Sequence, residues 1–297
     1  MRLLFCDSGF SPKEVDYLYQ EEYQAAKAHQ IPCFLISFEA LKKQQMDLAL
    51  QSVPVLPSKS LAIYRGWMLS YELYQQFYQA LLAKNIQLIN TPEAYRFCHY
   101  LPANYTTIKN YTPLSIFKPL ASSFDINNFK EALAVFGNHP IIVKDYVKSQ
   151  KHYWKEACFI PDASDLKQVE KITKRFIELQ DVDLNVGIVY RAFVELEPLT
   201  THAISGMPLT KEFRLFVKNG KIIAAANYWD QGDYDLVAPN LIFLKAVIPC
   251  IKSNFFSIDI AQQKDGNWII VELGDGQVSG LPDGIDRFNF YSSLMDC

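Results

Sequence analysis

Two apolar segments in the last part of the sequence, joined by a short polar stretch, constrain the fold more than any other feature. The segments are FFSIDIA and WIIVELGD, and the stretch between them is QQKDGN. The dipeptide Asp265-Gly266 between such segments predicts a β-hairpin with a two-residue turn of type I′. In that register Lys264 faces Asn267, and Asp259 lies directly opposite Glu272, with Cβ atoms about 5 Å apart.

Two facing carboxylates among apolar neighbours repel each other unless one holds a proton or a cation lies between them. Oxygen ligands on adjacent strands suit Mg²⁺, which proteins usually bind through one or two carboxylates together with substrate phosphates. The alternatives are two acids on a solvated sheet face, or a salt bridge from one of them to a nearby lysine. The hairpin alone leaves these interpretations open.

The composition of the 297 residues, 49% hydrophobic and 14% aromatic, excludes general disorder and allows two domains or one large one. A net charge of −3 gives no general attraction to nucleic acid or to an anionic membrane, so a polyanion would need a local basic patch. Six scattered cysteines without a CxxC motif argue against zinc and disulfides. With no long apolar run, we expect a cytoplasmic protein, with secretion by a signal-less route as the alternative.

The periodicity divides the chain into two parts. Strand and helix patterns alternate over residues 1–90, which predicts a small parallel α/β domain. Residues 91–297 have an α+β pattern, with a first subdomain at about 112–190, named the lid subdomain here, and a C-terminal subdomain at about 191–297. A second two-residue hairpin turn is predicted at Asn219-Gly220.

Basic residues interrupt several apolar segments. Lys144 in the strand PIIVKDY is either an edge-exposed lysine or one that reaches the phosphates of a nucleotide. The segment VKSQKHYWK, with Lys148 and Lys151, is either a solvated loop, a mobile loop that covers phosphates, or a small nucleic-acid contact. Arg214 in EFRLFVK needs a partner, which is either Glu212 or a phosphate.

The order of these motifs is a lysine strand, a basic loop, an apolar strand that ends in acids, an arginine hairpin and an acidic hairpin. This order resembles the ATP-grasp superfamily, and most closely the clade named for one arginine and two lysines, which is related to enzymes that ligate amino acids onto protein or peptide ends. The likeness covers most of the chain. It implies an α/β N-terminal domain followed by an α+β ATP-grasp fold, with the nucleotide held between two sheet-containing subdomains.

The resemblance implies a role for each matching basic residue. Arg65 in YRGWMLS occupies the position of the clade's N-terminal arginine and would hold a substrate carboxylate. Lys144 and Lys148 would bind the α- and β-phosphates. Arg214 would stabilise charge on the transferring phosphoryl group.

The segment YRAFVELEP resembles the hinge of the superfamily. Phe193 and Val194 would offer backbone groups to adenine, and Glu195 or Glu197 would reach the ribose. The metal ligands that the resemblance implies are Asp259, Glu272 and Asp275.

Two features depart from the superfamily pattern. Many members have asparagine two residues after the metal-binding glutamate, where this chain has Gly274. Asp275 or Gln277 would then replace it, or a second metal would be held more loosely. The phosphate loop is also poor in glycine and rich in lysine, so its closure can differ from that of a glycine-rich loop.

The implied activity is ligation dependent on ATP and Mg²⁺, with Mn²⁺ as an alternative metal. A carboxylate of a small molecule, peptide or protein attacks the γ-phosphate, and an amine or other nucleophile then displaces phosphate from the acyl phosphate, giving ADP and a C–N or similar acyl bond. Specificity is expected around Arg65 and in residues 228–240. Two alternatives stay open: a protein that binds nucleotide without ligation, and an ATP-dependent enzyme acting on RNA ends.

Overall fold

The computed structural model describes residues 1–120, 123–202, 206–234 and 238–296. The strands are β1 Arg2–Cys6, β2 Cys33–Ile36, β3 Ser60–Arg65, β4 Ile86–Leu88, β5 Ser115–Pro119, β6 Ile141–Asp145, β7 Phe159–Ile160, β8 Gly187–Ala192, β9 Pro198–Thr201, β10 Pro208–Thr210, β11 Glu212–Lys218, β12 Lys221–Asn227, β13 Phe255–Gln262 and β14 Trp268–Asp275. The helices are α1 Gln20–Ala28, α2 Phe38–Lys42, α3 Met46–Ala49, α4 Tyr71–Leu82, α5 Pro92–His99, α6 Leu101–Ile108, α7 Asn127–Leu133, α8 Trp154–Ala157, α9 Leu166–Gln180, α10 Leu244–Val247 and α11 Arg287–Asp296.

The N-terminal sheet has the order β2-β1-β3-β4, and all its strands run parallel, as the sequence predicts. The central strand β1 is buried on both faces, and its successive side chains point to opposite sides of the sheet. Leu4 and Cys6 pack in the core that includes residues of α2, α3 and α4, whereas Leu3 and Phe5 pack in the core that includes residues of α1 and α11. This arrangement confirms the predicted α/β fold of the first part of the chain.

The lid subdomain contains the antiparallel sheet β5-β8-β6-β7. Helices α7 and α9 cover it with apolar residues such as Phe129 and Phe176. The N-cap of α9 is Asp165, whose side chain accepts hydrogen bonds from the backbone N–H groups of Lys167 and Gln168. This cap fixes the start of the longest helix in the subdomain.

The C-terminal sheet is antiparallel and has the order β12-β11-β13-β14. The turn between β11 and β12 confirms the second predicted hairpin, because Lys218 pairs with Lys221 around the two residues Asn219 and Gly220. The φ angles of Asn219 and Gly220, 48° and 78°, are both positive, as a type I′ turn requires.

The turn predicted for the acidic hairpin is wrong, but the predicted pairing is present. The N–H of Gln263 donates to the carbonyl of Asn267, and the N–H of Gly266 donates to the carbonyl of Gln263. Gly266 has a φ angle of 87°. This is a three-residue loop with a left-handed glycine, and it shifts the register by one residue. A bulge between Asp259 and Ile260 shifts the register back, so Asp259 does pair with Glu272.

Helix α11 packs against α1, which places it on the N-terminal sheet although it follows the C-terminal sheet in the chain. Its residues Phe290 and Tyr291 share a core with Leu3 and Phe5. The domain boundaries at residues 1–90 and 91–297 stay a prediction. No helix in the described part of the chain is both long and apolar enough to cross a membrane.

Candidate active site

Asp259 and Glu272 lie side by side on β13 and β14, and each is bonded to a cation from another strand. The guanidinium of Arg214 on β11 donates to both oxygens of Asp259, at 2.8 and 2.7 Å. The ammonium of Lys144 on β6 lies 2.8 Å from Oε1 of Glu272. The two cations therefore offset the repulsion between the facing carboxylates, and the Lys144–Glu272 pair joins the lid sheet to the C-terminal sheet.

The surroundings of Glu272 and Arg214 keep these two groups charged. Burial raises the pKa of Glu272, but Lys144, Lys151 and Arg191 outweigh it, so the pKa of Glu272 lies below its ordinary value. Burial lowers the pKa of Arg214, and the adjacent Asp259 more than reverses this effect. The side chain of Glu272 is 39% exposed, whereas Lys144 is buried, so the lysine is not the edge-exposed residue considered above.

Two cations of the site contact the ring of Tyr228. The guanidinium carbon of Arg214 is 4.6 Å from the centre of its ring, and Nζ of Lys151 is 5.8 Å from the same point. Lys151 also lies 5.6 Å from the ring centre of Trp229. Burial lowers the pKa of Lys151, but Tyr228, Glu212, Glu272 and Asp259 together raise it by more, so the lysine stays charged. Cation–π contacts thus hold both basic side chains in place.

Two adjacent cavities share this cluster. The first, of about 360 Å³, is lined by both carboxylates, Lys144, Lys148 and Arg214. The second, of about 290 Å³, lies along the segment after β8 and is lined by apolar and aromatic residues that include Trp154, Phe193, Val194 and Met207. Four residues line both cavities: Ile142, Lys151, Arg191 and Val271. An apolar cavity that opens into a cluster of cations matches the two chemical halves of a nucleotide.

The predicted hinge residues line the second cavity in part. Phe193, Val194 and Glu195 border it, and Glu197 is not among the lining residues. The N–H of Phe193 donates to the carbonyl of Pro140, so this backbone donor is already engaged. The carboxylate of Glu195 accepts a hydrogen bond from Lys264 at 3.0 Å. Of the two glutamates predicted to reach the ribose, Glu195 is the one that borders this cavity, and the ribose contact stays a prediction.

Arg65 does not face either cavity, which contradicts its predicted contact with a substrate carboxylate. Its side chain is completely buried and forms a two-pronged ion pair with Glu22, with N···O distances of 2.8 and 2.9 Å. It also donates to the backbone carbonyls of Gly276 and Ser279. Arg65 is thus a structural residue that ties the N-terminal domain to the segment after β14.

Asp275 is not part of the carboxylate cluster, so its prediction as a metal ligand is wrong. It borders the first cavity but is fully buried, and its carboxylate accepts from the side chain of Asn90 at 2.6 Å and from the backbone N–H of Gln277 at 2.9 Å. Burial raises its pKa to about 6. In the part of the chain that the structure describes, no three His, Cys, Asp or Glu side chains form a metal-binding group.

The structure accounts for glycine at position 274. A Cβ atom there would lie 2.6 Å from the hydroxyl oxygens of both Ser257 and Ser279, which are 2.7 Å from each other. The space that an asparagine would need is therefore occupied by two hydroxyl groups, and both serines line the cavity with the carboxylates. Neither Asp275 nor the buried Gln277 takes that place.

Arg191 was missed by the sequence analysis. It lies on β8, is buried, and donates to the carbonyl of Val271 and the hydroxyl of Thr112, both at 2.6 Å. Burial lowers its pKa to about 10. The sequence signal for this residue is an arginine within the otherwise apolar strand GIVYRA. A buried guanidinium requires several partners, so such an arginine indicates a polar site.

A lid sheet and a C-terminal sheet that hold cations and carboxylates beside an apolar cleft define an ATP-grasp protein. The sequence matches the model of the ATP-grasp domain, R2K clade family 3, over residues 135–294, which is more than half of the chain. The chain belongs to this family. No curated protein matches the sequence at a significant level.

Solved structures support the fold. The ATP-grasp ligase PsnB complexed with a minimal precursor has a TM-score of 0.59 at 11% identity, covering 99% of this chain and 98% of its own. D-cycloserine synthetase DcsG has a TM-score of 0.60 at 13% identity, with the same coverage. D-alanine–D-alanine ligase from Bacillus anthracis complexed with ATP has a TM-score of 0.57 at 12% identity, covering 100% of this chain and 96% of its own. At these identities the likeness shows the fold alone.

Proposed function

We propose that this protein is an ATP-dependent ligase that activates a carboxylate as an acyl phosphate and transfers it to an amine, with ADP and phosphate as products. The observation that carries the proposal is the pair Asp259 and Glu272, each bonded to a basic residue at the edge of an apolar cavity. Phosphoryl transfer depends mainly on positioning and on neutralising charge. These are the properties that this cluster has.

The donor set at the site fits a hard divalent cation. Asp259 and Glu272 present carboxylate oxygens from adjacent strands, and the hydroxyls of Ser257 and Ser279 line the same cavity. Such oxygen donors suit Mg²⁺, or Mn²⁺ in its place, with substrate phosphates completing the coordination. When bound, the metal would neutralise charge on the β- and γ-phosphates.

The basic residues divide the remaining tasks. Lys144 and Lys151 reach the site from the lid subdomain and would bind phosphate oxygens, whereas the exposed Lys148 lies at the mouth of the cavity. Arg214, fixed by Asp259 and Tyr228, would face the transferring group with a preset orientation. The apolar cavity beside Phe193 and Trp154 would take the adenine and exclude water from it.

The relatives support the choice of cofactors and reaction class. PsnB was solved with its minimal precursor, Mg and ADP, and D-alanine–D-alanine ligase from Bacillus anthracis was solved with ATP. PsnB was also solved with a precursor peptide and AMPPNP. Together with the family match, these complexes favour ligation over an activity on RNA ends.

Thermal unfolding with Mg·ATP, compared between wild type and Glu272→Gln, tests the proposal. We expect Mg·ATP at about 100 times its Kd to stabilise the wild-type protein by about 2.7 kcal/mol, and we expect the variant to lose the metal-dependent part. The matched control is Glu170→Gln, which removes a carboxylate from a surface pair with Lys174. Absence of any shift in wild type, or an unchanged shift in Glu272→Gln, would contradict the proposal.

Trapping with hydroxylamine separates ligation from nucleotide binding alone. An acyl phosphate reacts with hydroxylamine to give a hydroxamate, so a panel of carboxylates incubated with the protein and Mg·ATP should yield one for the true substrate. Stabilisation by Mg·ATP without hydroxamate or phosphate release from any carboxylate would favour a protein that binds nucleotide but does not ligate.

A further inference from the structure

A groove of about 1000 Å³ lies next to the candidate active site. Its lining comes from the N-terminal domain (residues 17–22 and 67–73), the lid subdomain (residues 182–183) and the segment after β14 (residues 278–287). Met68, Lys148, Val278 and Gly280 line both this groove and the cavity that holds the two carboxylates. A molecule lying in the groove can therefore place one end at the charged cluster.

The groove is lined by large apolar side chains that are exposed to solvent. Tyr17 is 80% exposed and Val182 is 91% exposed, and Leu18, Trp67 and Met68 are also exposed. Exposed apolar residues that are scattered singly need no explanation, but a contiguous group of them beside a cleft marks a binding surface. Here five such residues line one groove and come from three separate stretches of the chain, two in the N-terminal domain and one in the lid subdomain.

Trp67 is held in a fixed position within this lining. Its indole N–H donates to Asp16 at 2.9 Å, its ring packs edge-on against Tyr19, and its backbone carbonyl accepts from the hydroxyl of Tyr64. A side chain that is already ordered loses little entropy when a ligand contacts it. Binding of a ligand against the ring of Trp67 therefore costs little side-chain entropy.

The size and polarity of the groove indicate the kind of partner. Its volume is more than three times the 290 Å³ of the apolar cavity beside the hinge, so a single amino acid would fill only a part of it. Polar side chains, including Lys42, Ser70 and Asp183, lie among the apolar ones. This mixture suits a chain with apolar side chains and a polar backbone better than a fatty acid, which has no polar groups along its length.

We propose that this groove binds an apolar segment of a polypeptide, with the carboxylate to be activated placed at Lys148. The assignment rests on the proposed function and names its substrate class. Lys148 lies where the groove meets the phosphate cavity and provides the cation that complements a carboxylate. The apolar side chains of the segment contact Tyr17, Trp67 and Val182.

Calorimetry in the presence of Mg·ADP tests this assignment with two acetylated peptides of equal length and charge, acetyl-LFQLE and acetyl-GSQSE. We expect the apolar peptide to bind at least about tenfold more tightly, because burial of its side chains favours binding. The double variant Tyr17→Ser, Val182→Ser should weaken binding of the apolar peptide by about tenfold. Val55→Ser is the matched control, since Val55 is exposed in the same domain but outside the groove, and it should bind as wild type does.

Equal affinities for the two peptides, or an unchanged affinity in the double variant, would overturn the assignment. Decanoate binding as tightly as the apolar peptide, with the same loss in the double variant, would overturn it in favour of a fatty acid. Stabilisation by Mg·ATP is measured on the same samples. If that stabilisation persists while the two peptides bind with equal affinity, only the groove assignment falls. If the stabilisation is absent while the apolar peptide binds more tightly than the polar one, the ligase proposal falls instead.

Discussion

The guanidinium of Arg214 and the carboxylate of Asp259 form two hydrogen bonds, of 2.8 and 2.7 Å, between residues that face each other on adjacent strands. Arg214 was expected to need either Glu212 or a phosphate, and its partner is neither. Glu212 instead accepts from the hydroxyl of Thr210 at 2.7 Å, and burial raises its pKa. The orientation of the arginine is therefore set by one of the carboxylates proposed to bind the metal.

Asp259→Asn should lower the rate of ligation about a hundredfold, because it removes a charge from the metal site and one anchor of Arg214. The neutral amide keeps the shape of the side chain, so the fold should persist. Binding of Mn²⁺ in the presence of ADP, followed by electron paramagnetic resonance, should weaken in parallel. Asp265→Asn, in the exposed loop of the same hairpin, is the control and should leave both measurements unchanged.

Glu22→Gln should destabilise the protein by about 3–5 kcal/mol, because it leaves the buried Arg65 without its anion. Urea unfolding measures this change. Glu178→Gln removes the partner of Arg175 at the surface and should cost at most about 1 kcal/mol. A stable Glu22→Gln protein that had lost affinity for its carboxylate substrate would restore the substrate role that the sequence predicted for Arg65.

The ring of Tyr228 should affect nucleotide binding through Arg214 and Lys151. Tyr228→Leu removes both cation–π contacts, and at about 0.5–2 kcal/mol for such contacts we expect the KM for ATP to rise about tenfold. Tyr228→Phe keeps the ring and should stay within about twofold of wild type. Equal effects of the two variants would show that the hydroxyl, and not the ring, matters.

Two buried groups should make opposite contributions to stability between about pH 4 and 6. Burial raises the pKa of Asp275 to about 6, so the unfolded chain releases this proton first and stability falls as pH rises. Burial lowers the pKa of His99 to about 4, although Glu272 opposes this, so the folded protein releases that proton first and stability rises with pH. The two contributions offset each other in the wild type.

Asp275→Asn should therefore make the free energy of unfolding rise more steeply with pH than in the wild type, by up to about 3 kcal/mol across this range. His99→Phe should have the opposite effect. Urea unfolding at pH 4.5, 5.5 and 6.5 measures both slopes. Wild-type slopes in both variants would show that these two groups do not titrate differently in the folded and unfolded states.

The sequence was sufficient to predict features that depend on local periodicity. The pairing of Asp259 with Glu272 was predicted from the register of a two-residue turn, and it is present because a bulge offsets the one-residue shift of the three-residue loop. The parallel N-terminal sheet and the turn at Asn219-Gly220 have the same origin. The order of the motifs predicted that Lys144 binds phosphates. In the structure this lysine is paired with Glu272.

The failures concern contacts between residues far apart in the chain. Arg65 is paired with Glu22 on α1 and with carbonyls more than 200 residues away, and no local pattern distinguishes such an arginine from one that faces a cleft. Asp275 lies on the opposite side of β14 from Glu272, where Asn90 satisfies its carboxylate. Asn90 is 185 residues away in the chain, so sequence spacing could not identify it as the partner of Asp275.

The contacts of Arg65 also limit movement between the N-terminal sheet and the C-terminal sheet. They fasten the N-terminal sheet to the segment after β14, and Asn90 adds further bonds to Asp275 and to the backbone at Phe255. Two of the three four-stranded sheets in the described part of the chain are thus linked by buried polar bonds, whereas at the active site the lid sheet is joined to the C-terminal sheet by the Lys144–Glu272 pair and by Arg191. A rotation of the N-terminal sheet against the C-terminal sheet would therefore break buried polar bonds and leave groups without partners, which is costly.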